Sequence, residues 1–184
     1  SSRRQRQMCI RDRYSIDKKI LNISSRISTE QLLQSNLFKK VIIEVGFGDG
    51  EHLIESALSN PKVLFVGSEV YVNGVAKVLK QIIEKDIKNI RLCGMNFVYL
   101  LNILNENSID ELKIINPDPW HKKRHFKRRL VNLENIIKII GTVKNKYATY
   151  ITTDSESYFN NSNEIFSSNS RRLHENTSKI LSKE

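Results

Sequence analysis

Residues 41–50 read VIIEVGFGDG and decide the fold, because a run of β-branched residues leads directly into three glycines at alternate positions. Gly46, Gly48 and Gly50 permit a tight turn and a close approach of the backbone to a ligand. The helix predicted to follow presents free amide groups at its first turn. We therefore expect a nucleotide-like ligand where this first strand ends; the alternative is a plain turn without a ligand.

The spacing of these glycines indicates the kind of ligand. A dinucleotide fingerprint, GxGxxG, would place its third glycine at position 51, which is Glu51 in this chain. The GxGxG pattern, with Glu44 ahead of it, suits instead a ligand that carries an amino-acid carboxylate and an adenosine but no pyrophosphate. Glu69 follows the second predicted strand, nineteen residues after Gly50, where an acidic residue can accept hydrogen bonds from both ribose hydroxyls. The alternative for Glu69 is a surface carboxylate.

Short β-branched runs alternate with segments of helical period along the chain. The runs predict strands, each nearly continuous in apolar character, over residues 41–45, 63–66, 89–92, 112–115 and 147–152. Between them, apolar residues at helical spacing predict helices over residues 53–58, which Asn60 and Pro61 terminate, and over residues 75–83. This order predicts an α/β fold with a doubly wound, mostly parallel sheet. Residues 160–170 are rich in Ser and Asn and predict a loop or a frayed helix.

The composition excludes several classes of protein. The chain has 184 residues and a formal net charge of +10, and 39% of its residues are hydrophobic. No stretch approaches the roughly 18 consecutive apolar residues of a membrane span, so we expect one domain without membrane contact. Cys9 and Cys93 make neither a disulfide framework nor a zinc pattern, so we expect a cytoplasmic protein without a metal. The positive charge favours an anionic partner, most often nucleic acid.

The two ends of the chain set the expected domain boundaries. Residues 1–13, SSRRQRQMCIRDR, resemble the translation of a sequencing adapter, so we expect a non-native tail; the alternative is a basic, disordered arm. Residues 14–40 form a lead-in, in which a capping box at 28–31 predicts a short helix. We expect residues 41–184 to be the ligand-binding domain, truncated at its C-terminus because residues 178–184 carry no terminating pattern.

A second segment with chemistry, residues 116–120 (NPDPW), follows the fourth predicted strand and so lies at the ligand end of the sheet. Pro117 has a restricted backbone, and Pro119 disfavours a helical conformation for Asp118. The carboxylate of Asp118 is therefore held stiffly beside the ligand, which makes it the candidate active-site acid. Trp120 is either a loop anchor or a platform for a base.

A basic run comes directly after Trp120 and contains no acidic residue. Its cations are Lys122, Lys123, Arg124, Lys127, Arg128 and Arg129. Neutralisation of nucleic-acid phosphates is the simplest use for six positive charges. His121, His125 and Phe126 lie among them and can stack on bases or form hydrogen bonds with them. The alternative is a solvated surface.

Four segments together, EVGFGDG, SEVYVNGVAK, PDPWHKKRHFKRRLV and TTDSESY, resemble the bacterial tRNA (guanine-N7)-methyltransferase family over roughly residues 40–160. The resemblance implies a class I, Rossmann-like fold that binds S-adenosylmethionine through Glu44, Glu69 and Asn96. The three loop glycines and Asp118 would complete this site, with Asp118 central to catalysis. The resemblance also implies that Lys122 and Asp154 meet the substrate guanosine in the variable loop of tRNA.

Several positions depart from the family pattern. Asn116 replaces an aromatic residue, Asn96 a common Asp and Ser155 a frequent Trp, and the C-terminal Thr-Lys-aromatic-Glu motif is not recognisable in residues 177–184. Two site residues also have structural alternatives. Asn96 suits a helix cap, and Asp154 lies inside TDSE, which predicts a capping box.

Two other functions share parts of these patterns. A nicotinamide-dependent oxidoreductase would explain the sheet and Glu69 but not the basic run. A non-catalytic RNA-binding module would explain the charge but not the glycine loop. We expect the methyltransferase to act on tRNA as a monomer or a homodimer.

Overall fold

The computed structural model describes residues 38–144 and 149–181, with side chains as far as residue 169. The predicted tail, the predicted helix after residue 28 and the last three residues lie outside this part of the chain. The strands are β1 Lys40–Val45, β2 Val63–Ser68, β3 Ile90–Cys93, β4 Glu111–Ile115 and β5 Thr149–Thr152. The helices are α1 Glu51–Ser59, α2 Val72–Glu84, α3 Phe97–Ile103, α4 Leu133–Thr142 and α5 Glu156–Leu181, with a 3-10 helix at Lys123–Arg128.

The five described strands form one parallel sheet in the order β3-β2-β1-β4-β5. The register places Ile43 beside Val66 on β2 and beside Leu112 on β4. The chain builds outward from β1 to β3 on one side and then crosses to β4 on the other side. The predicted α/β, doubly wound, parallel sheet is confirmed, and its topological switch point lies between β1 and β4, where such sheets bind ligands.

The sheet separates two apolar layers, because successive side chains of each strand point to opposite faces. Leu53, Ile54 and Val78 of α1 and α2 pack with Ile42 and Phe65 on one face. Helices α3, α4 and α5 cover the other face, as the buried cluster on that side shows: Ile43, Leu64, Leu112, Phe97, Leu100, Ile136, Ile139 and Tyr158. Burial on both faces explains why the strands are nearly continuous apolar runs.

Of the two alternatives predicted at residues 160–170, a loop or a frayed helix, the loop is wrong, because this segment lies inside α5. Its polar side chains bond to carbonyls one turn earlier, as Ser162 Oγ does to Tyr158 O at 2.9 Å and Ser167 Oγ does to Asn163 O at 2.7 Å. Such bonds satisfy Ser side chains without interrupting the helix. Packing of buried Tyr158 against the sheet anchors the helix that the local sequence disfavours.

Candidate active site

A cavity of about 580 Å³ opens at the carboxyl ends of β1, β2, β3 and β4, across the switch point of the sheet. Its volume falls within the range of about 300–1,000 Å³ that is usual for small-molecule sites. The lining residues come from the segments that follow these strands: Val45, Gly46, Ser68, Glu69, Val70, Met95, Asn96, Phe97, Val98, Asn116, Pro117, Asp118, Pro119, Trp120, Arg128 and Leu130. The structure therefore brings Glu69, Asn96 and Asp118 to one cavity.

The glycine loop needs glycine at all three predicted positions, because Gly46, Gly48 and Gly50 have φ of +73°, +53° and +75°. Only Gly46 lines the cavity. Gly50 is buried, and a Cβ atom there would lie 2.1 Å from Cγ2 of Val78 on α2. Gly50 therefore serves close packing of the loop on α2, while Gly46 presents backbone to the cavity.

Glu69 joins the glycine loop to the start of α2. Its Oε2 accepts a hydrogen bond from Gly48 N at 2.9 Å, and its Oε1 accepts from Val70 N at 2.7 Å and from Tyr71 N at 2.9 Å. A carboxylate has about four acceptor positions, so Glu69 keeps capacity for a hydroxyl donor of a ligand. The three backbone bonds hold it in place on the cavity wall, which makes it a preorganised acceptor.

Glu44 lies behind the glycine loop, on β1, and it does not line the cavity. Its carboxylate is 2% exposed, and its Oε2 lies 2.6 Å from Nδ1 of His52 at the beginning of α1. The role of Glu44 as a direct cofactor contact stays a prediction. His52 was not among the predicted site residues, because it lies on a different element from Glu44 and only the turn between β1 and α1 brings the two together.

Asn96 has the structural role that its position suggested. Its Oδ1 accepts a hydrogen bond from Val98 N at 2.9 Å and so caps the N-terminus of α3. Asn96 also lines the cavity, so the two roles do not exclude each other. A side chain of β2 holds the loop before Asn96, because Ser68 Oγ donates a hydrogen bond to Met95 O at 3.0 Å.

The segment that carries Asp118 is flanked by two residues with left-handed backbone conformations. Asn116 has φ +45° and Trp120 has φ +43°. Asn tolerates this region, but a Trp there is a conformational outlier of the kind that concentrates at functional sites. Asp118 itself is exposed on the cavity wall, and its carboxylate accepts no hydrogen bond from the described residues. This carboxylate is available to a ligand.

The rim of the cavity is aromatic and cationic. It consists of Trp120 and of two side chains from the basic run, His125 and Arg128. Trp120 and Arg128 both line it, with Cζ of Arg128 5.0 Å from the centre of the Trp120 ring. His125 meets Trp120 edge to face, with ring centres 5.8 Å apart. The exposed cations Lys123 and Lys127 lie on the adjoining 3-10 helix. This part of the run is positioned to meet an anionic ligand at the cavity mouth.

Arg129 departs from the prediction of six phosphate contacts, because its side chain is only 1% exposed. Its guanidinium lies over the Phe126 ring at 3.5 Å and near the Tyr158 ring at 5.0 Å. Burial lowers the pKa of the Arg129 guanidinium, an effect that Tyr158 partly opposes. The prediction that Arg129 binds phosphate is therefore wrong, since packing against α5 removes it from solvent.

Lys122 and Asp154 are exposed and do not line the cavity. Lys122 is the N-cap that precedes the 3-10 helix, and its carbonyl accepts from His125 N at 2.7 Å. The capping box predicted around Asp154 is wrong, since α5 begins at Glu156 and Tyr158 N donates to Ser155 Oγ at 3.4 Å. Asp154 is therefore free of a capping role, and its contact with substrate stays a prediction.

The Methyltransf_4 family model, which describes methyltransferases, matches residues 38–183. The chain belongs to this methyltransferase family. The match covers the whole described cavity, so Glu69, Asn96 and Asp118 all lie within the family region. The predictions of an enzyme of this class and of S-adenosylmethionine as its cofactor are confirmed at the level of the family.

Curated relatives agree with the family. A bifunctional methyltransferase of Rickettsia bellii (strain RML369-C) is 43% identical over 129 residues, which are 70% of this chain and 23% of the relative. A tRNA (guanine-N(7)-)-methyltransferase of Agrobacterium fabrum (strain C58) is 38% identical over 122 residues, which are 66% of this chain and 53% of the relative. The methyltransferase chain thus spans about a quarter to about a half of the length of these relatives. The resemblance to tRNA (guanine-N7)-methyltransferases is confirmed.

A solved structure supports the fold. The 30S ribosomal A1408 methyltransferase from an uncultured bacterium has a TM-score of 0.54 and 22% sequence identity, over 83% of this chain and 76% of that one. The class I, Rossmann-like methyltransferase fold is confirmed. Within residues 38–144 and 149–181, no helix is long and apolar enough to cross a membrane. The same residues contain no group of three or more His, Cys, Asp or Glu side chains that could hold a metal ion.

Proposed function

We propose that this methyltransferase transfers the methyl group of S-adenosylmethionine to N7 of a guanosine in the variable loop of tRNA. The observation that carries the proposal is a single cavity with Glu69 on one wall and the free carboxylate of Asp118 on another. The cationic rim around Arg128 borders the same cavity. The tRNA (guanine-N(7)-)-methyltransferase of Agrobacterium fabrum, at 38% identity, supports the choice of substrate.

The cofactor side of the cavity suits an adenosine linked to an amino acid. Glu69 is held by three backbone N–H groups and retains acceptor capacity for ribose hydroxyls. Gly46 gives a ligand close access to the backbone beside Val45. Bound there, S-adenosylmethionine supplies an electrophilic methyl group on a sulfonium.

The substrate side suits a purine whose reacting nitrogen needs no activation. Guanine N7 carries an in-plane lone pair and no proton, so methyl transfer requires no general base to create the nucleophile. Proximity and in-line alignment then supply most of the rate enhancement. Asp118 accepts hydrogen bonds from the N–H groups of the guanine ring and so orients N7, an electrostatic role rather than proton abstraction.

The RNA outside the cavity meets the exposed cations. Lys122, Lys123, Arg124 and Lys127 lie in solvent beside the cavity rim, where they neutralise backbone phosphates. Trp120 and His125 present aromatic rings at the rim, on which a base can stack. Lys122 and Asp154, both exposed, are proposed to reach the target nucleotide. Asp154 follows β5, whose last residue, Thr152, accepts a hydrogen bond from Asn116 N of the cavity lining at 3.0 Å.

Neither alternative function accounts for the whole site. For an oxidoreductase, the third fingerprint glycine would be required where the chain has Glu51, the first residue of α1. A non-catalytic RNA-binding module would not require a cavity in which backbone N–H groups hold the carboxylate of Glu69. The methyltransferase family supports transfer chemistry over both. The expected monomer or homodimer, the cytoplasmic location and the division of the chain at residues 13 and 40 stay predictions.

The test is incubation of unmodified bulk tRNA with methyl-labelled S-adenosylmethionine, followed by nucleoside analysis. We expect label in 7-methylguanosine. The matched control is a transcript whose variable-loop guanosine is replaced by adenosine, which should accept no label. Label in another nucleoside, or equal labelling of the control transcript, would contradict the proposed substrate.

A further inference from the structure

Arg129 is buried at the end of the 3-10 helix, directly after the exposed Lys127 and Arg128, and it uses every guanidinium nitrogen. Its Nε donates to Pro119 O at 2.9 Å, and its Nη2 donates to Ser157 Oγ at 3.1 Å. Its Nη1 donates to Ser157 O at 2.9 Å and to Asn161 Oδ1 at 3.0 Å. One side chain thus joins the loop after β4 to the first two turns of α5.

The two joined segments are those that carry the proposed substrate contacts. Pro119 comes directly after Asp118, so the bond from Arg129 to the Pro119 carbonyl restrains the loop one residue after the proposed active-site carboxylate. Ser157 lies in the first turn of α5, three residues after Asp154. The position of Arg129 therefore sets the spacing between the Asp118 loop and the segment of Asp154.

Packing alone does not account for a guanidinium at this place. All four acceptors of Arg129 are neutral, and no described carboxylate pairs with it. An apolar side chain of similar volume would often fill a buried site at lower free-energy cost than a charge. What an apolar residue cannot supply is a planar set of donors that reaches two backbone segments at fixed angles.

We propose that Arg129 is a positioning residue for methyl transfer, which holds Asp118 in register with α5 without touching the substrate. The proposal rests on the proposed function for its kinetic test. Lysine keeps the charge but has a single nitrogen, so it cannot make the bonds to Pro119 and Ser157 in the same geometry. Arg129→Lys therefore removes the planar set of donors but keeps the positive charge.

The experiment compares Arg129→Lys with Arg91→Lys in the 184-residue chain. Arg91 is a matched control, because its Nη1 also donates to two backbone carbonyls, those of Lys88 and Ile90, at the opposite end of the sheet. We expect the single-turnover rate of Arg129→Lys to fall about 10- to 100-fold, the effect of misplacing a catalytic group by about 1 Å. The tRNA dissociation constant should stay within about threefold, because exposed cations dominate it. Arg91→Lys should change neither.

A spectroscopic readout is independent of activity. Trp120 is the only tryptophan of the chain and directly follows Pro119, so its fluorescence reports the position of this loop. We expect Arg129→Lys to shift the Trp120 emission maximum and Arg91→Lys to leave it unchanged.

A milder variant tests the other end of the contact. Asn161→Ala removes one acceptor of Arg129 at a partly exposed position and should slow single-turnover transfer several-fold. In the Arg129→Lys background the same change should have little further effect, because residues of one hydrogen-bonded network are not additive. If Arg129→Lys does not fold, the rate of Asn161→Ala alone decides, and a parental rate would overturn the positioning role.

Other outcomes also overturn the proposal. They are a rate of Arg129→Lys within threefold of the parent, an equal loss in Arg91→Lys, or additive effects of Arg129→Lys and Asn161→Ala. If the parent forms no 7-methylguanosine, the proposed function fails instead. The Trp120 emission then decides the positioning role, since an unchanged spectrum would contradict it without any reference to catalysis.

Discussion

The two halves of the cavity are built by different means. On the proposed cofactor half, the glycine loop and Glu69 are held by backbone conformation and by backbone N–H groups within residues 46–71. On the proposed substrate half, the loop that carries Asp118 is held through Arg129 by Ser157 and Asn161 of α5, which lie 28 and 32 residues after Arg129. Backbone N–H groups thus hold one half, and a side chain bonded to α5 holds the other.

This difference has a consequence for the effect of substitutions. On the cofactor half, a change should act through the residue that is replaced and its near neighbours. On the substrate half, a change distant in sequence should alter catalysis while the cofactor still binds. The following variants test the comparison from its strongest expected effect to its weakest.

The largest effect is expected at Asp118, in the substrate half. Asp118→Asn keeps the size of the side chain but loses the charge, and its amide donor faces the N–H donors of guanine. Single-turnover transfer on a preformed complex should slow by about two to four orders of magnitude. The tRNA dissociation constant should change much less, because phosphate contacts dominate it.

Glu84→Gln is the control for Asp118, because Glu84 is exposed at the end of α2 and pairs with Lys80 at 3.7 Å outside the cavity lining. Its rate should equal that of the parent. An Asp118→Asn variant that methylates within about threefold of the parent would remove this carboxylate from the mechanism and leave a structural turn.

The next largest effect is expected on stability, in the cofactor half. Gly50→Ala combines a positive φ with a Cβ placed 2.1 Å from Val78, so it should lower the free energy of unfolding by about 2–4 kcal/mol. Gly48→Ala has a φ of +53° but nothing within 4 Å, so only the backbone cost of about 1–2 kcal/mol remains. Urea unfolding measures both, and equal losses would show that packing against α2 does not matter.

A smaller effect is expected for Glu69→Ala, which removes the acceptor of the cofactor half. Binding of S-adenosylmethionine should weaken by about 1.5–3 kcal/mol, the contribution of hydrogen bonds to a charged group. Isothermal calorimetry measures the dissociation constant, with Glu84→Ala at the end of α2 as the exposed control. A dissociation constant equal to that of the parent would contradict the ribose contact.

The smallest effect concerns the phosphate contacts. Arg128→Ala should reduce the slope of log K for tRNA against log salt concentration by about one unit or less. Lys88→Ala is the control, because Lys88 pairs with Asp86 at the other end of the sheet. Salt titration of tRNA binding gives both slopes. If the slope of Arg128→Ala equals that of the parent, Arg128 does not bind phosphate and this part of the basic run is a solvated surface.

The sequence predicted the cofactor half more completely than the substrate half. Alternating glycines, β-branched runs and the placement of Glu69 depend on local backbone rules, which a sequence displays directly. The pairing of Glu44 with His52 was missed even there, because the turn brings together two residues that no periodic pattern relates. The packing of Gly50 on Val78 was equally invisible in the linear pattern.

On the substrate half, the sequence identified the PDPW segment and the charge of the basic run. It did not show which cations of the run are exposed and which are buried. Arg128 and Arg129 are identical side chains at adjacent positions, yet one stacks on Trp120 at the cavity rim and the other is buried. Their composition and their neighbours in the chain do not distinguish them. The difference arises from α5, which supplies Ser157 and Asn161 as acceptors for Arg129 alone.

The amino-acid sequence by itself determined the parallel α/β sheet, the glycine turn and the residue types that meet at the switch point. It did so because burial on both faces and positive φ values restrict the amino acids allowed at each position. Only the tertiary structure decided which cations reach solvent, which carboxylates face the cavity and where α5 begins. Those outcomes depend on contacts between segments far apart in the chain, whose free energies no local pattern contains.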